Sequence, residues 1–105
     1  MQIDVLTIFP ELFEPFFATA FVGHARRDGA LRIAAHDLRQ WTRDRHRSVD
    51  DAPYGGGAGM VMTPEPLVEA IEALAGPKGP GRRARVVLLT PQGERLGQAR
   101  LESLA

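Results

Sequence analysis

Apolar and polar positions divide the first half of the chain into a strand, two helical segments and a second strand. Residues 1–9 carry a nearly continuous apolar run, which predicts a strand that is buried on both faces and ends at Pro10. Between residues 11 and 20 the apolar residues recur at helical spacing, and Pro15 is predicted to split this segment. A helix over residues 19–28 should end at Gly29, and a short strand should follow over residues 31–35.

The second half repeats the alternation. Thr63 and Pro64 open a helix whose apolar face ends before Gly76. Residues 85–90 enclose four consecutive apolar side chains and predict another buried strand, and residues 98–105 begin a further helix. This order predicts an α/β fold with a mainly parallel sheet flanked by helices. Because three strands leave such a sheet thin at one edge, the chain is expected to be a fragment of a longer protein.

The aromatic and histidine side chains indicate packing and hydrogen bonding more than catalysis. Phe16, Phe17 and Phe21 are predicted to pack in the core or against a partner, as aromatic residues in a small chain usually do. His24 and His36 have no second ligand at metal spacing, so we interpret them as surface or hydrogen-bonded residues and predict no metal site.

Composition limits the possible classes of protein. The 105 residues suit one domain, and 44% hydrophobic and 25% charged residues are ordinary for a globular protein. No apolar run approaches the ~20 residues of a membrane span, and the first residues lack the basic start of a signal peptide, so a cytoplasmic location is expected. The absence of cysteine excludes disulfides and cysteine nucleophiles within the chain. Net charge is zero, so any affinity for nucleic acid must come from a local patch.

The most unusual stretch is residues 50–62, where four glycines fall in five positions between two aspartates and a Met-Val-Met run. The charged, proline-stiffened and apolar flanks favour a ligand-facing loop over a structural turn, and they do not suit a flexible linker. No lysine follows Gly59, which excludes a Walker loop, and Met62 stands where a dinucleotide fingerprint needs glycine.

Two further stretches are candidates for binding. Residues 39–47 contain four arginines and one aspartate, a net charge of +3, with Trp41 among them. Arginine pairs with phosphate and indole rings stack on bases, but a solvated charged loop explains this segment equally well. Residues 90–93, Thr-Pro-Gln-Gly, form a predicted turn at the carboxyl end of a strand, where α/β proteins bind ligands. From these four residues alone, a plain structural turn is favoured.

Taken together, the chain resembles the N-terminal part of bacterial tRNA (guanine-N1)-methyltransferase, a family of the knotted SPOUT superfamily. The motifs are Ile-Asp-Val-Leu-Thr-Ile-Phe-Pro at residues 3–10, Asp-Arg-His-Arg-Ser-Val-Asp-Asp at 44–51, Pro-Tyr-Gly-Gly-Gly-Ala-Gly-Met-Val-Met at 53–62 and Leu-Thr-Pro-Gln-Gly at 89–93. The resemblance extends over residues 1–105, which would form a partial SPOUT methyltransferase domain.

The resemblance implies an enzyme that uses S-adenosylmethionine to methylate N1 of the guanine next to the tRNA anticodon, which maintains the reading frame. It also implies a deep trefoil knot in a homodimer with active sites between the subunits. By the same resemblance, the first cofactor loop is Leu89, Thr90, Pro91, Gln92 and Gly93. The expected tRNA-contacting residues are Arg43, Arg45, His46, Arg47, Asp50, Tyr54, Gly55, Gly56, Gly57 and Gly59.

Several parts of the implied site fall outside these residues. The general base, the family's later Gly-Arg-Tyr-Glu-Gly loop, the rest of the knot and the C-terminal tRNA-binding domain are expected beyond Ala105. No catalytic residue is therefore predicted within the chain, which should be inactive alone. For Asp50 and Asp51 a role in loop positioning is favoured over proton abstraction. The alternative is an RNA-binding or dimerisation module without catalysis, and translating the gene past Ala105 would distinguish the two.

Overall fold

A computed structural model describes residues 1–105 and shows a strand–helix–strand unit at the start of the chain. Strand β1 (Gln2–Thr7) pairs in parallel with β2 (Arg32–Asp37) in one continuous register, from Gln2 opposite Arg32 to Thr7 opposite Asp37. A 3-10 turn (Pro10–Leu12) and the helices α1 (Glu14–Phe17) and α2 (Ala20–Arg27) connect the two strands. Parallel strands need such a crossover because their ends lie far apart.

Local residues explain where these elements begin and end. Pro15 lies in the first turn of α1, where its missing N–H removes no helical bond, so the predicted break falls just before α1 and not at the proline itself. Gly29 ends α2 with a φ of +75°, as its position in the sequence predicts.

The second half of the chain is less regular. A 3-10 turn (Leu38–Trp41) follows β2, and a short antiparallel pair, β3 (Asp50–Asp51) with β4 (Val61–Met62), precedes helix α3. Helix α3 (Pro64–Ala75) ends at Gly76, whose φ is +86°, and α4 (Gln98–Leu104) lies near the end of the chain. Both helices lie where the sequence pattern predicts them. None of the helices has the length and apolar character needed to cross a membrane.

The core is small and joins the two halves. Leu38, Val49 and Ala70 are buried together, and Leu6, Ile8, Trp41 and Leu67 pack around them. This cluster holds the second 3-10 turn, Leu38–Trp41, and the segment before β3 against one face of α3. The prediction that β1 is buried on both faces is wrong, because a sheet of two strands covers it only in part.

Of the three phenylalanines expected to pack, only Phe17 is in the core. It is buried beside Phe13 and Phe16, with the Arg26 guanidinium 5.9 Å above its ring. Phe16 and Phe21 are exposed, so the core assignment is wrong for both, and a partner-facing role stays a prediction.

The predicted strand over residues 85–90 is absent. No backbone–backbone hydrogen bond involves residues 84–89, and the four apolar side chains Val86, Val87, Leu88 and Leu89 are exposed. A strand is stabilised by the ladder to a neighbour, and β1 and β2 pair only with each other. The fold is therefore α/β with a small parallel sheet. Its radius of gyration of 15.9 Å exceeds the roughly 13 Å typical of this length.

Candidate functional site

The glycine loop, defined here as residues 52–60, is the tip of the β3–β4 hairpin. At its base, Asp50 lies opposite Met62 and Asp51 opposite Val61. One residue further from the tip on each strand, the Thr63 N–H donates to the Val49 carbonyl at 2.8 Å, and Val49 is buried in the core. The loop is thus anchored at both ends.

The loop backbone lies largely in the left-handed region. Gly55, Gly56, Gly57 and Gly59 have φ between +84° and +127°, values that L side chains rarely adopt. A hydrogen bond from the Gly56 N–H to the Pro53 carbonyl, 3.0 Å, closes a turn with Gly55 at its third position, as in a type II turn. A Cβ on Gly55, Gly56 or Gly59 would meet no atom within 4 Å. The glycines are thus required by the path of the backbone, and the loop surface is open.

The polar side chains of the hairpin differ in their contacts. Asp51 accepts a hydrogen bond from the Ala52 N–H at 2.7 Å, which fits the loop-positioning role favoured for it. Asp50 is exposed and its carboxylate makes no such bond. Tyr54 is fully exposed, so its ring is available to stack on a planar ligand.

The arginine-rich segment, residues 39–47, uses part of its charge internally. Arg39 lies 3.5 Å from the Asp37 carboxylate and donates to the Ile8 carbonyl at 2.5 Å, so it holds the 3-10 turn against the end of β1. Arg43 pairs with Glu69 of α3 at 2.9 Å. That pair is largely exposed and therefore weak, so the Arg43 guanidinium can exchange it for a phosphate at small cost.

A tight turn that begins at Asp44 exposes Arg45, His46 and Arg47 to solvent. The Arg47 N–H donates to the Asp44 carbonyl at 3.2 Å, and Arg47 itself has a φ of +51°. The Ser48 N–H donates to both Asp44 carboxylate oxygens, at 2.9 and 3.1 Å. Arg45, His46 and Arg47 are exposed, and none of them takes part in an ion pair.

The carboxylate that closes this turn is charged at neutral pH. Hydrogen bonds from the Ser48 hydroxyl, and then from its backbone N–H, hold the pKa of Asp44 below its ordinary value of 3.8. Because the folded pKa is lowered, the contribution to the turn is present above pH 3.8 and is lost only as the pH falls through the lowered value.

An open groove of about 220 Å³ separates this turn from the start of α3. Most of the residues that line it have polar or charged side chains, and the full set is Trp41, Thr42, Arg43, Asp44, Ser48, Thr63, Glu65, Pro66 and Glu69. Trp41 packs on the core, and its ring lies edge-on to His36 at 6.5 Å. The sequence suggested this indole for base stacking, but its packing leaves Tyr54 as the more accessible ring.

The predicted cofactor residues form a turn, as expected. The Gly93 N–H donates to the Thr90 carbonyl at 3.1 Å, and the Gln92 N–H approaches the Thr90 hydroxyl at 3.3 Å. Leu89 and Pro91 are exposed. No hydrogen bond or ion pair joins this turn to the glycine loop. The chain therefore displays the two predicted binding segments separately.

Two contributors to the site were missed from the sequence. Glu69 holds Arg43 from 26 residues away, and no local pattern indicates that pairing. Ser48 fixes the turn through Asp44, four residues earlier. The aspartate and serine at this spacing are a known local hydrogen-bonding pattern and could have predicted the turn.

Comparison with known proteins identifies the family of this chain. The model of the family tRNA (Guanine-1)-methyltransferase TrmD matches residues 1–105, and the chain belongs to this family. The resemblance inferred from the motifs is thereby confirmed.

Curated relatives give the same result. The tRNA (guanine-N(1)-)-methyltransferase of Salinispora tropica is 52% identical over 105 residues, which are 100% of this chain and 40% of the relative. The proteins of the same name from Heliobacterium modesticaldum and Bacillus cereus (strain B4264) are 50% and 46% identical, over 40% and 42% of their own lengths. The chain thus spans about two fifths of the curated relatives that it matches.

Proposed function

We propose that these 105 residues form the N-terminal part of an enzyme that methylates N1 of the guanine next to the tRNA anticodon and so maintains the reading frame. The observation that supports this most is family membership over the whole chain. As further parts of the proposal, the full-length protein is a cytoplasmic homodimer with a SPOUT trefoil knot, and its general base and C-terminal tRNA-binding domain lie beyond Ala105.

The glycine loop is proposed to line the pocket for the target base. Its open surface around Gly55, Gly56 and Gly59 lets a planar ligand approach the backbone directly, and Tyr54 can stack on it. Direct methyl transfer needs no enzyme nucleophile. It needs alignment of the reacting atoms, which a loop fixed at both ends provides.

S-adenosylmethionine would supply an electrophilic methyl group on its sulfonium. The residues proposed to hold it fit one side of such a molecule. Leu89 exposes an apolar side chain, and the turn over residues 90–93 is open to solvent beside it. An apolar contact next to backbone donors and acceptors is what a nucleoside requires. This turn is one wall of the proposed pocket, and the remaining walls lie in the rest of the protein.

The exposed turn with Arg45, His46 and Arg47, together with Arg43, is proposed to contact tRNA phosphates. Guanidinium groups at the tip of a turn can reach phosphates without contacting the edges of the bases, so the geometry supports contact with the RNA backbone.

The experiment is methyl incorporation from labelled S-adenosylmethionine into unmodified tRNA, with identification of the modified nucleoside. The full-length protein and the Salinispora tropica relative should form N1-methylguanine. Residues 1–105 alone should incorporate at least 10²-fold less, because loss of a general base alone costs about 10²–10⁴ in rate. Activity of the 105 residues within tenfold of the full-length protein would contradict the placement of the base.

The alternative, an RNA-binding or dimerisation module without catalysis, is favoured only by the exposed basic turn. It predicts that the full-length protein binds tRNA and transfers no methyl group. The same assay, run beside a binding measurement, distinguishes the two.

A further inference from the structure

A second basic segment follows α3 and has no role in the site described above. The basic loop, defined here as residues 78–85, reads Lys-Gly-Pro-Gly-Arg-Arg-Ala-Arg. Its four cations and no acid give it a charge of +4, in a chain whose net charge is zero. Like charges placed this close repel one another, and a bound anion would relieve that repulsion.

The loop backbone is attached to the end of α3. The Arg83 N–H donates to the Ala75 carbonyl at 2.8 Å, and the Arg82 N–H donates to the Gly79 carbonyl at 3.1 Å. Gly76 allows the close return because its φ of +86° is a backbone conformation that L side chains rarely adopt. The charges are therefore displayed from a folded turn and not from a free tail.

None of the four cations is neutralised by a carboxylate. Arg85 donates to the Ser103 carbonyl at 2.6 Å, and the Nε of the half-buried Arg82 has no hydrogen-bond partner. Lys78 and Arg83 are exposed and make no side-chain hydrogen bond, so they are the groups most available to an external anion.

We propose that the basic loop binds the phosphate backbone of the tRNA as a second contact surface. This inference rests on the proposed function, and it adds residues that the resemblance does not assign. Arginine forks and a lysine ammonium without partner carboxylates are the groups that neutralise phosphates.

Its position relative to the first basic surface, which consists of Arg43, Arg45, His46 and Arg47, supports a folded RNA as the ligand. Arg43 and the groove lie at the N-terminal half of α3, whereas the basic loop follows its last residue, Ala75. The 12 residues of α3 span about 18 Å. Two cationic surfaces at that separation can contact phosphates at two places on one RNA molecule.

A purely structural explanation is that the cations stabilise the negative C-terminal end of α3. Two of the last four carbonyls of α3, however, already accept backbone bonds, Glu72 from Gly76 and Ala75 from Arg83. None of the four cationic side chains donates to a carbonyl of α3, since the one side-chain bond among them runs from Arg85 to Ser103.

The test measures tRNA affinity of the full-length protein against salt concentration. The double variant Lys78→Gln/Arg83→Gln should make the slope of log affinity against log salt shallower by about 1.4–1.8, because each of the two lost phosphate contacts contributes roughly 0.7–0.9. The matched control is Arg27→Gln/Arg32→Gln, which removes the same charge from two exposed arginines outside both basic surfaces. The control should keep the wild-type slope. The charge-conserving Lys78→Arg/Arg83→Lys variant should keep it too.

The outcomes separate the two proposals. If wild-type protein binds tRNA and the Lys78→Gln/Arg83→Gln variant has an unchanged slope, the basic loop does not contact RNA and the inference is wrong, while the proposed function stands. An unchanged slope with a lowered melting temperature assigns the loop to stabilisation of α3. If the wild-type protein binds no tRNA, both proposals are overturned.

Discussion

Left-handed backbone conformations are concentrated at the candidate site. The four glycines of the glycine loop adopt them freely, but Arg47 does so with a side chain, at a cost of about 1–2 kcal/mol for an L-residue. The glycines were predictable because no other residue suits such a path. The conformation of Arg47 was not, since it depends on the hydrogen bonds that close the turn around Asp44. A strained residue at an exposed turn tip fits a binding role for its side chain.

Gly59 and Gly29 allow a matched test of the glycine loop. Both have positive φ, +89° and +75°, and a Cβ on either would meet no atom within 4 Å. Gly59→Val and Gly29→Val should therefore suffer similar backbone strain, about 1–3 kcal/mol, and similar falls in melting temperature. Only Gly59→Val should also reduce turnover, by at least about tenfold, because its side chain enters the proposed pocket. Equal loss of turnover in the two variants would make the loop structural.

Arg45 is the clearest single test of the first basic surface, because it is exposed and free of any carboxylate. Arg45→Ala should flatten the plot of log tRNA affinity against log salt by about 0.7–0.9. Arg27→Ala, an exposed arginine on α2, provides the comparison and should leave the plot unchanged. A wild-type slope for Arg45→Ala would remove that arginine from the tRNA contacts.

Among the elements, helices proved more predictable than strands. Helices α2 and α3 are each followed within two residues by a glycine of positive φ, so local information was enough. Residues 86–89 have the composition of a buried strand, but a strand also needs a neighbouring strand that its own residues cannot specify. The site follows the same rule. The glycine loop was visible in composition, whereas the pairing of Arg43 with Glu69 depends on how α3 packs.

The anchoring of the hairpin depends on one buried side chain more than on its own two-residue strands. Leu38 is buried against Val49 and Ala70, and so joins the 3-10 turn, the hairpin base and α3. Leu38→Ala should cost about 2–5 kcal/mol in unfolding free energy, measured by urea denaturation of the full-length protein. The same truncation at the exposed Leu12 should cost under about 1 kcal/mol. Comparable losses would mean that the core does not lie where we place it.

For the molecule as a whole, the α/β class was predictable from the order of elements, but its open shape was not. Thirteen basic and thirteen acidic side chains cancel in the sum and conceal two local cationic surfaces, one at the N-terminal half of α3 and one beyond its C-terminal end. The compactness expected for this length assumes that apolar segments find cover within the chain. Residues 86–89 do not, because no neighbouring strand receives them.

The lack of a neighbouring strand at residues 86–89 should be measurable as fast exchange of their amide protons with solvent deuterium. With no backbone hydrogen bond over residues 84–89, their N–H groups should exchange at the rate of an unstructured peptide, while those bonded between β1 and β2 should be slowed. Deuterium uptake by residues 1–105, followed by mass spectrometry of peptic fragments, measures both. Slow uptake at residues 86–89 would show that they form a strand after all. Protection that develops only in the full-length protein would show that the rest of that protein supplies the missing neighbour.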